Sequence, residues 1–198
     1  EPLAMLSHLA HATTRVRLGI SVLVIPYRNP LLAAKMLATT DVLSKGRVIL
    51  GAGVGWLREE FEALGAPPFE ERGPVTEEYI RLMRAAWTTD PVTFEGKYCS
   101  IRNIHVLPKP VQHGGIPVWI GGHTGAAVRR AAPLGGGRHP IGMRAPAVLR
   151  PCEYAGKGEE DHQGAPRAGG GPQTTGVATP GAVGGGGPGL LCAPRPDR

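Results

Sequence analysis

Hydrophobic and polar positions along the chain follow two periods, and these periods predict its secondary structure. Apolar residues recur at helical spacing in residues 2–12, 30–43, 58–64 and 75–87. Apolar positions alternate over residues 16–20 and become continuous over residues 22–25, and short apolar runs occupy residues 47–55, 116–122 and, more weakly, 138–142. Amphipathic helices that alternate with strands buried on both faces predict parallel β–α units. Either a doubly wound sheet or a TIM barrel fits this alternation.

One segment departs from the alternation. In residues 92–104, β-forming side chains lie on both sides of Glu95-Gly96, a dipeptide suited to a hairpin turn. The sequence therefore predicts a hairpin inserted between two β–α units.

Composition divides the chain into two parts. The protein has 198 residues, of which 30 are Gly and 20 are Pro, and only 5% are aromatic. Residues 157–198 contain glycine runs and no Phe, Tyr or Trp, so they bury too little apolar surface to offset the entropy of ordering. We therefore predict an ordered α/β domain over residues 1–156 and a disordered Gly/Pro-rich tail over residues 157–198.

Charge and cysteine content exclude several classes of function. The net charge is +6, and because the charges of the tail cancel, the excess lies in residues 1–156 and favours an anionic ligand. Basic residues are not interleaved with aromatic ones, so we expect no nucleic-acid partner. Cys99, Cys152 and Cys192 form neither a disulfide framework nor a zinc motif. With no membrane span or signal peptide in the sequence, we expect a cytoplasmic protein.

Glycines cluster where two of the predicted strands end. Gly51, Gly53 and Gly55 close one strand, and Gly121 and Gly122 close another. Ligands of parallel β–α folds bind at these strand ends, and glycine allows the backbone to approach a ligand directly. The sequence therefore predicts that both strand ends form walls of one ligand site.

The second glycine pair precedes a helix. In the segment "WIGGHTGAAVRRA", Thr124 is placed to cap the helix, and His123 and Thr124 offer donors beside its free N–H groups. A helix N-terminus of this kind suits a phosphate group. A tight turn that happens to use glycine explains the pattern equally well.

Several separated motifs resemble one family. The segments "VRLGISVLVIPYRNPLLAAKMLATTDVLSKGRVILGAGVGWLREEFEALG", "FEERG", "LPKPVQ" and "PVWIGGHTGAAVRRAA" resemble the luciferase-like monooxygenases. The likeness is strongest to their deazaflavin (coenzyme F-420)-dependent oxidoreductase branch, and it covers about residues 1–155. It implies a partial (β/α)8 TIM barrel that holds about strands three to six of eight, with the hairpin as an extra segment.

The resemblance also implies a cofactor site at the C-terminal ends of the strands. Relatives carry a bulge with a non-proline cis peptide behind the cofactor ring, and Ser21-Val22 corresponds to it. The residues implied as cofactor contacts are Ser21, Val22, Val54 and Gly55 near the ring, and Gly121, Gly122, His123 and Thr124 at the phosphate. Some relatives place a Glu proton donor where this chain has Trp56, so no catalytic residue is assigned.

The resemblance implies hydride transfer between deazaflavin F-420 and a small organic substrate. One alternative is an FMN-dependent monooxygenase that uses oxygen. Another is a non-catalytic truncated remnant, inactive or dependent on a second chain. A homo-oligomer stays open, because half a barrel leaves two sheet edges exposed.

Two pairs of charged or titratable residues have simpler explanations. We expect Asp41 and Arg47, which bracket a helix end and a strand start, to pair as a structural clamp. His8 and His11 lie three residues apart on a helix but have no evident third ligand. No metal site is therefore predicted.

Overall fold

The computed structural model describes residues 1–139. The predicted tail, the boundary at residue 156 and the end of the last predicted strand lie outside this range. The helices are α1 Pro2–Ala12, α2 Pro30–Ser44, α3 Arg58–Leu64, α4 Arg72–Thr88 and α5 Gly125–Leu134. The strands are β1 Leu18–Val24, β2 Val48–Gly53, β3 Val92–Phe94, β4 Ile101–Ile104, β5 Val118–Gly121 and β6 Gly137–His139.

The larger sheet has four parallel strands in the order β1-β2-β5-β6. Its register pairs Leu50 with Val118 and Trp119 with Gly137. Each strand is added on the same side as the one before it, so the order never reverses as it does in a doubly wound sheet. Among the two folds that the alternation allowed, this order fits part of a barrel.

Two of the predicted helix ends, the start of α2 and the end of α3, are confirmed by their capping contacts. Asn29 Oδ1 accepts hydrogen bonds from the N–H groups of Leu31 and Leu32, which have no partner within the helix. Gly65 ends α3 in the left-handed conformation, with φ of 59°. The strands are shorter than predicted, since β1 begins at Leu18 and leaves Val16 56% exposed.

The core lies between the helices and one face of the sheet. The predicted apolar stripe of α4 is confirmed, because all its members are buried: Val75, Tyr79, Leu82, Met83, Ala86 and Trp87. Most of these pack in one cluster with buried residues of α1, α2 and the parallel strands. The indole N–H of Trp87 donates to the carbonyl of Ala34, which satisfies its polar atom inside the core.

The predicted hairpin is confirmed, and one carboxylate attaches it to α4. Strands β3 and β4 pair antiparallel in a sheet of their own. Glu78, buried in α4, accepts hydrogen bonds from three successive backbone N–H groups of the turn, those of Lys97, Tyr98 and Cys99. The hairpin is therefore held by a helix and not by the parallel sheet.

The predicted ion pair between Asp41 and Arg47 is wrong. Asp41 is completely buried, and its carboxylate accepts from the backbone N–H groups of Val48, Val111 and Gln112 and from the Gln112 side chain. The side chain of Arg47 donates to Thr13 Oγ1 and to the carbonyls of Ala10, Thr13, Val16 and Ser44. Asp41 and Arg47 are thus each hydrogen-bonded to a different set of chain segments, and each residue holds a different connection in place.

Candidate functional site

The ends of the parallel strands form one edge of the sheet. Ala52 pairs with Ile120, and Gly121 pairs with His139, so Gly53 and Gly121 end two neighbouring strands at one level, and His139 of β6 lies beside Gly121. Helix α5 begins immediately after β5 at this edge. The predicted glycine clusters therefore share one end of the molecule, as the sequence indicates.

A bulge in β1 leans across the inner face of the sheet. The register of β1 shifts between Ile20 and Leu23, and the predicted cis peptide bond at Ser21-Val22 is present. Val22 reaches past β2 to Gly121 of β5, a strand that is not paired with β1. The bulge consequently forms part of the inner surface of two further strands.

Three glycines make room for this bulge. A methyl group on Gly121 would lie 2.6 Å from Val22 Cγ1, and one on Gly53 would overlap Val22 Cγ2. At Gly51 it would overlap the carbonyl oxygen of Ile20. The immediate neighbour of the bare backbone at Gly53 and Gly121 is thus the Val22 side chain, and a cofactor contact there stays a prediction.

A hydrogen bond crosses the inner face beside the bulge. Ser21 Oγ lies 2.6 Å from His139 Nε2, although the two residues are on the opposite edge strands β1 and β6 of the described sheet. Ser21 is exposed and His139 is half-buried, so the pair faces the open side of the sheet. Sequence reasoning missed His139, which it treated only as part of a weak last strand.

The start of α5 has donors suited to an anion. Thr124 is the N-cap, and its hydroxyl accepts from the N–H of Ala127. The N–H groups of Gly125 and Ala126 occupy the first turn, where no helical carbonyl is available to them. Gly122 has φ of 117° and donates its N–H to the carbonyl of His139, which fixes the turn before the helix. This arrangement fits the phosphate of a bound cofactor.

The inner face of the sheet also carries apolar side chains. Ile49 and Trp119 are only half-buried, whereas their neighbours Val48, Leu50 and Val118 are at most 1% exposed on the helix side. Trp119 lies over Gly137, where a methyl group would be 2.9 Å from the indole. Together with Val22, these side chains form a surface that fits a flat, largely apolar ring.

Val54 and Gly55 follow β2 on the other side of the bulge. A methyl group on Gly55 would lie 2.7 Å from Phe61 and 3.0 Å from Val24, so this residue packs beneath an aromatic cluster. Trp56, which stands where some relatives place a Glu, is 82% exposed. The predicted contacts of Val54 and Gly55 with a cofactor ring stay predictions.

Tyr27 closes the aromatic cluster. Its ring meets Phe61 edge-on at 5.0 Å, and its hydroxyl donates to Glu60 at 2.5 Å. Burial, together with the hydrogen bond to Glu60, raises the pKa of Tyr27 to about 12. Tyr27 therefore keeps its proton at neutral pH and serves as a donor to Glu60.

Within residues 1–139, the structure shows no group of three or more His, Cys, Asp or Glu side chains that could hold a metal ion. Among the helices of that same part of the chain, none is long and apolar enough to cross a membrane.

Parallel strands in unreversed order, an inward bulge and a helix start at the carboxyl edge define an α/β-barrel protein, and ligands of such folds bind at that edge. The chain belongs to the luciferase-like monooxygenase family, whose sequence profile matches residues 1–179. This family of oxidoreductases has F-420-dependent and FMN-dependent members among the relatives of the chain. The described residues thus form a partial TIM barrel.

Two characterised relatives use different cofactors. The chain is 37% identical to an F420-dependent glucose-6-phosphate dehydrogenase of Amycolatopsis mediterranei over 138 residues, which cover 68% of this chain and 41% of that protein. It is also 37% identical to an FMNH(2)-dependent dimethylsulfone monooxygenase of Pseudomonas fluorescens over 134 residues, which cover 67% and 36%. The chain therefore spans less than half the length of these relatives.

A solved structure has the same fold. The crystal structure of the monooxygenase RslO1 from Streptomyces bottropensis superposes with a TM-score of 0.75 at 26% identity. The superposition covers 87% of this chain and 51% of that one. The sheet order observed here is therefore that of a luciferase-like barrel.

Proposed function

We propose that this chain is the cofactor-binding part of an oxidoreductase that transfers hydride between deazaflavin F-420 and a small organic substrate. The observation that carries the proposal is the convergence, at one sheet edge, of the Ser21-Val22 bulge, the apolar inner face and the start of α5. An apolar surface beside an anion site matches a ring that carries a phosphate.

Each part of the site has a separate task in this proposal. The first turn of α5, with Gly122 and Thr124 before it, binds the phosphate. Val22 and Trp119 contact the ring and exclude water from one side of it. F-420 supplies the hydride chemistry when bound, and the protein supplies the orientation.

The test compares two substitutions of Thr124 that differ only in charge. T124N and T124D both keep a good N-cap acceptor for the Ala127 N–H. T124D adds a carboxylate beside the phosphate, so we expect it to bind F-420 at least 10-fold more weakly than T124N in equilibrium dialysis. A deazaflavin riboside without phosphate should bind both variants equally. Equal F-420 affinity of the two variants would contradict the phosphate site.

FMN is the second candidate, because the two characterised relatives are equally identical to this chain and one of them uses reduced FMN. FMN also carries a phosphate on a tricyclic ring, so the same residues would bind it. Parallel dialysis of the wild-type chain with F-420 and with FMN separates the two. Tighter binding of FMN would replace the hydride-transfer proposal with an oxygen-dependent one.

The remaining candidate is a non-catalytic remnant, for which the open edges of β1 and β6 in the described sheet are the argument. A monomer that melts cooperatively and binds either cofactor would contradict it. Aggregation without cooperative melting, or binding of neither cofactor, would favour it.

A further inference from the structure

A groove of about 190 Å³ lies between α4 and α5. Its walls are formed by Glu77 of α4 and by Ala126, Arg129, Arg130 and Pro133 of α5. None of these residues is among those predicted to contact the cofactor. The groove is therefore a second cavity, whose chemistry the proposed function does not use.

Arg130 is the more enclosed of the two arginines in the groove, since its side chain is only 11% exposed. Its Nε donates to Glu77 Oε1 at 3.1 Å, and this bond uses one of the five N–H donors of the guanidinium. Nη2 lies beside Gly73, where a methyl group would be 2.8 Å from it. Within residues 1–139, the two terminal nitrogens of Arg130 donate to no acceptor, so they are available to a ligand.

Arg129 is exposed, and no carboxylate of the described residues pairs with it. Its Nη1 would lie 3.3 Å from a methyl group on Gly125, so the side chain bends back along the first turn of α5. An exposed guanidinium is thus held beside the partly used guanidinium of Arg130.

A third guanidinium lies at the C-terminal end of α5. Arg84 Nη2 donates to the carbonyl of Leu134, the residue that follows Pro133 of the groove. Burial lowers the pKa of Arg84, because its positive charge is partly removed from water. An anion bound nearby would stabilise this charge.

The charges around the groove do not balance. Three guanidinium groups stand against the single carboxylate of Glu77, which leaves an excess of two positive charges. The planar fork of arginine matches the oxygen atoms of phosphate and carboxylate groups. A phosphate dianion matches the excess of two charges, whereas a carboxylate carries only one. The side chains of Ala126 and Pro133 leave an apolar wall beside the charged groups.

We propose that this groove binds a phosphate dianion, either free or as the monoester of a small molecule, through Arg129 and Arg130. The proposal does not rest on the function proposed above, because it uses other side chains.

The experiment titrates the full chain with inorganic phosphate, phenyl phosphate and dimethyl phosphate above pH 7, where the first two are largely dianions. Titration calorimetry gives each Kd, and carbon-detected magnetic resonance spectra report the Cζ signals of the arginines. We expect saturable shifts at Arg129 and Arg130 with both dianions, and binding of the dimethyl monoanion at least 10-fold weaker. Tighter binding of phenyl phosphate would identify an ester as the ligand, and equal binding would identify free phosphate; both support the site.

Three variants locate the binding. R129Q removes a charged donor from an exposed side chain, and we expect it to weaken phosphate binding roughly 10-fold. E77Q keeps an acceptor for Arg130 but removes the competing negative charge, so binding should tighten about twofold to fivefold. R15Q is the control, because it removes the same charge from an exposed arginine between α1 and β1, and it should change the Kd less than twofold.

The outcomes that overturn the proposal are distinct from a failure of the cofactor site. Equal phosphate affinity of R129Q and R15Q, or equal affinity of the wild-type chain for dimethyl phosphate and inorganic phosphate, would overturn it. Shifts confined to the amides of Gly125 and Ala126, without a shift at Arg130, would assign the phosphate to the start of α5 and overturn the groove. Absence of F-420 binding would leave the groove unaffected.

Discussion

Substitution of Gly53 or Gly121 by alanine tests why the strand ends lack side chains. Each new methyl group would meet one γ-methyl of Val22, at 2.6 Å in the case of Gly121, whereas carbon atoms in contact prefer about 3.5–4.0 Å. Overpacking of this kind costs about 1–3 kcal/mol, and the reduced entropy of the unfolded alanine chain offsets about 0.4–1 kcal/mol. We expect each variant to lower the free energy of unfolding by roughly 1–2 kcal/mol.

A second substitution at Val22 isolates the cause. V22A removes both γ-methyl groups from a half-buried side chain, which costs about 1 kcal/mol. In the V22A background the contacts with the γ-methyl groups are gone. The new methyl groups would still lie 3.2 Å from the Cβ of residue 22 in G53A and 3.2 Å from the Ala52 carbonyl oxygen in G121A, so each variant should cost much less than in the wild-type chain. Urea denaturation of the single and double variants should therefore give a coupling of roughly 1–2 kcal/mol, well above the usual additivity error of about 0.3–0.5 kcal/mol.

Gly51 is the matched control, because its methyl group would overlap a backbone carbonyl that no side-chain change can remove. G51A should cost as much in V22A as in the wild-type chain. If G53A and G121A cost the same in both backgrounds, Val22 is not the reason for the glycines. A direct requirement of the ligand for bare backbone would then be the better explanation.

Three further substitutions have defined outcomes. R47K replaces a guanidinium that donates to several carbonyls, and urea denaturation should show a loss of roughly 2–3 kcal/mol; an unchanged midpoint would contradict the clamp. E78Q replaces one carboxylate oxygen that accepts from backbone N–H groups with an NH2 group that can only donate. Backbone amide hydrogen exchange at residues 97–99 should therefore become faster, while the exchange of β2 stays constant. The raised pKa of Tyr27, about 12, means that its bond to Glu60 stabilises the fold below pH 10 and is lost as the pH rises towards 12. The stability difference between the wild-type chain and Y27F should therefore shrink only in that range, and a difference that disappears below pH 9 would contradict the assignment.

Local patterns predicted the elements of this fold well. The α4 stripe, the start of α2 at residue 30 and the end of α3 at residue 64 depend on residues within one or two turns, and all are confirmed. Parallel units follow from the alternation of helices and strands. The choice between a barrel and a doubly wound sheet depends on the strand order. That order is set by contacts between distant residues, about which the hydrophobic periodicity of the sequence carries no information.

The candidate site was less predictable because its contacts are distant in sequence. Ser21 and His139 are 118 positions apart, and no local period links them. The carboxylate of Asp41 illustrates the same limit: a nearby arginine was the obvious partner, but backbone N–H groups about 70 positions away bind it. Glycine at the strand ends correctly indicated close approach, while the approaching group turned out to be the chain's own bulge.

The way Glu78 holds the hairpin has a consequence for protein engineering. Strands β3 and β4 pair with each other, and their turn is hydrogen-bonded to a helix side chain. The parallel strands of the barrel are therefore not paired with them. An exchange of residues between Thr93 and Asn103 should leave the curvature of the parallel strands unaltered if it keeps a three-amide turn for the carboxylate and the side chains of Tyr98, Cys99 and Ile101, which pack against the core. This segment is therefore a place where a foreign loop or an affinity tag could be grafted.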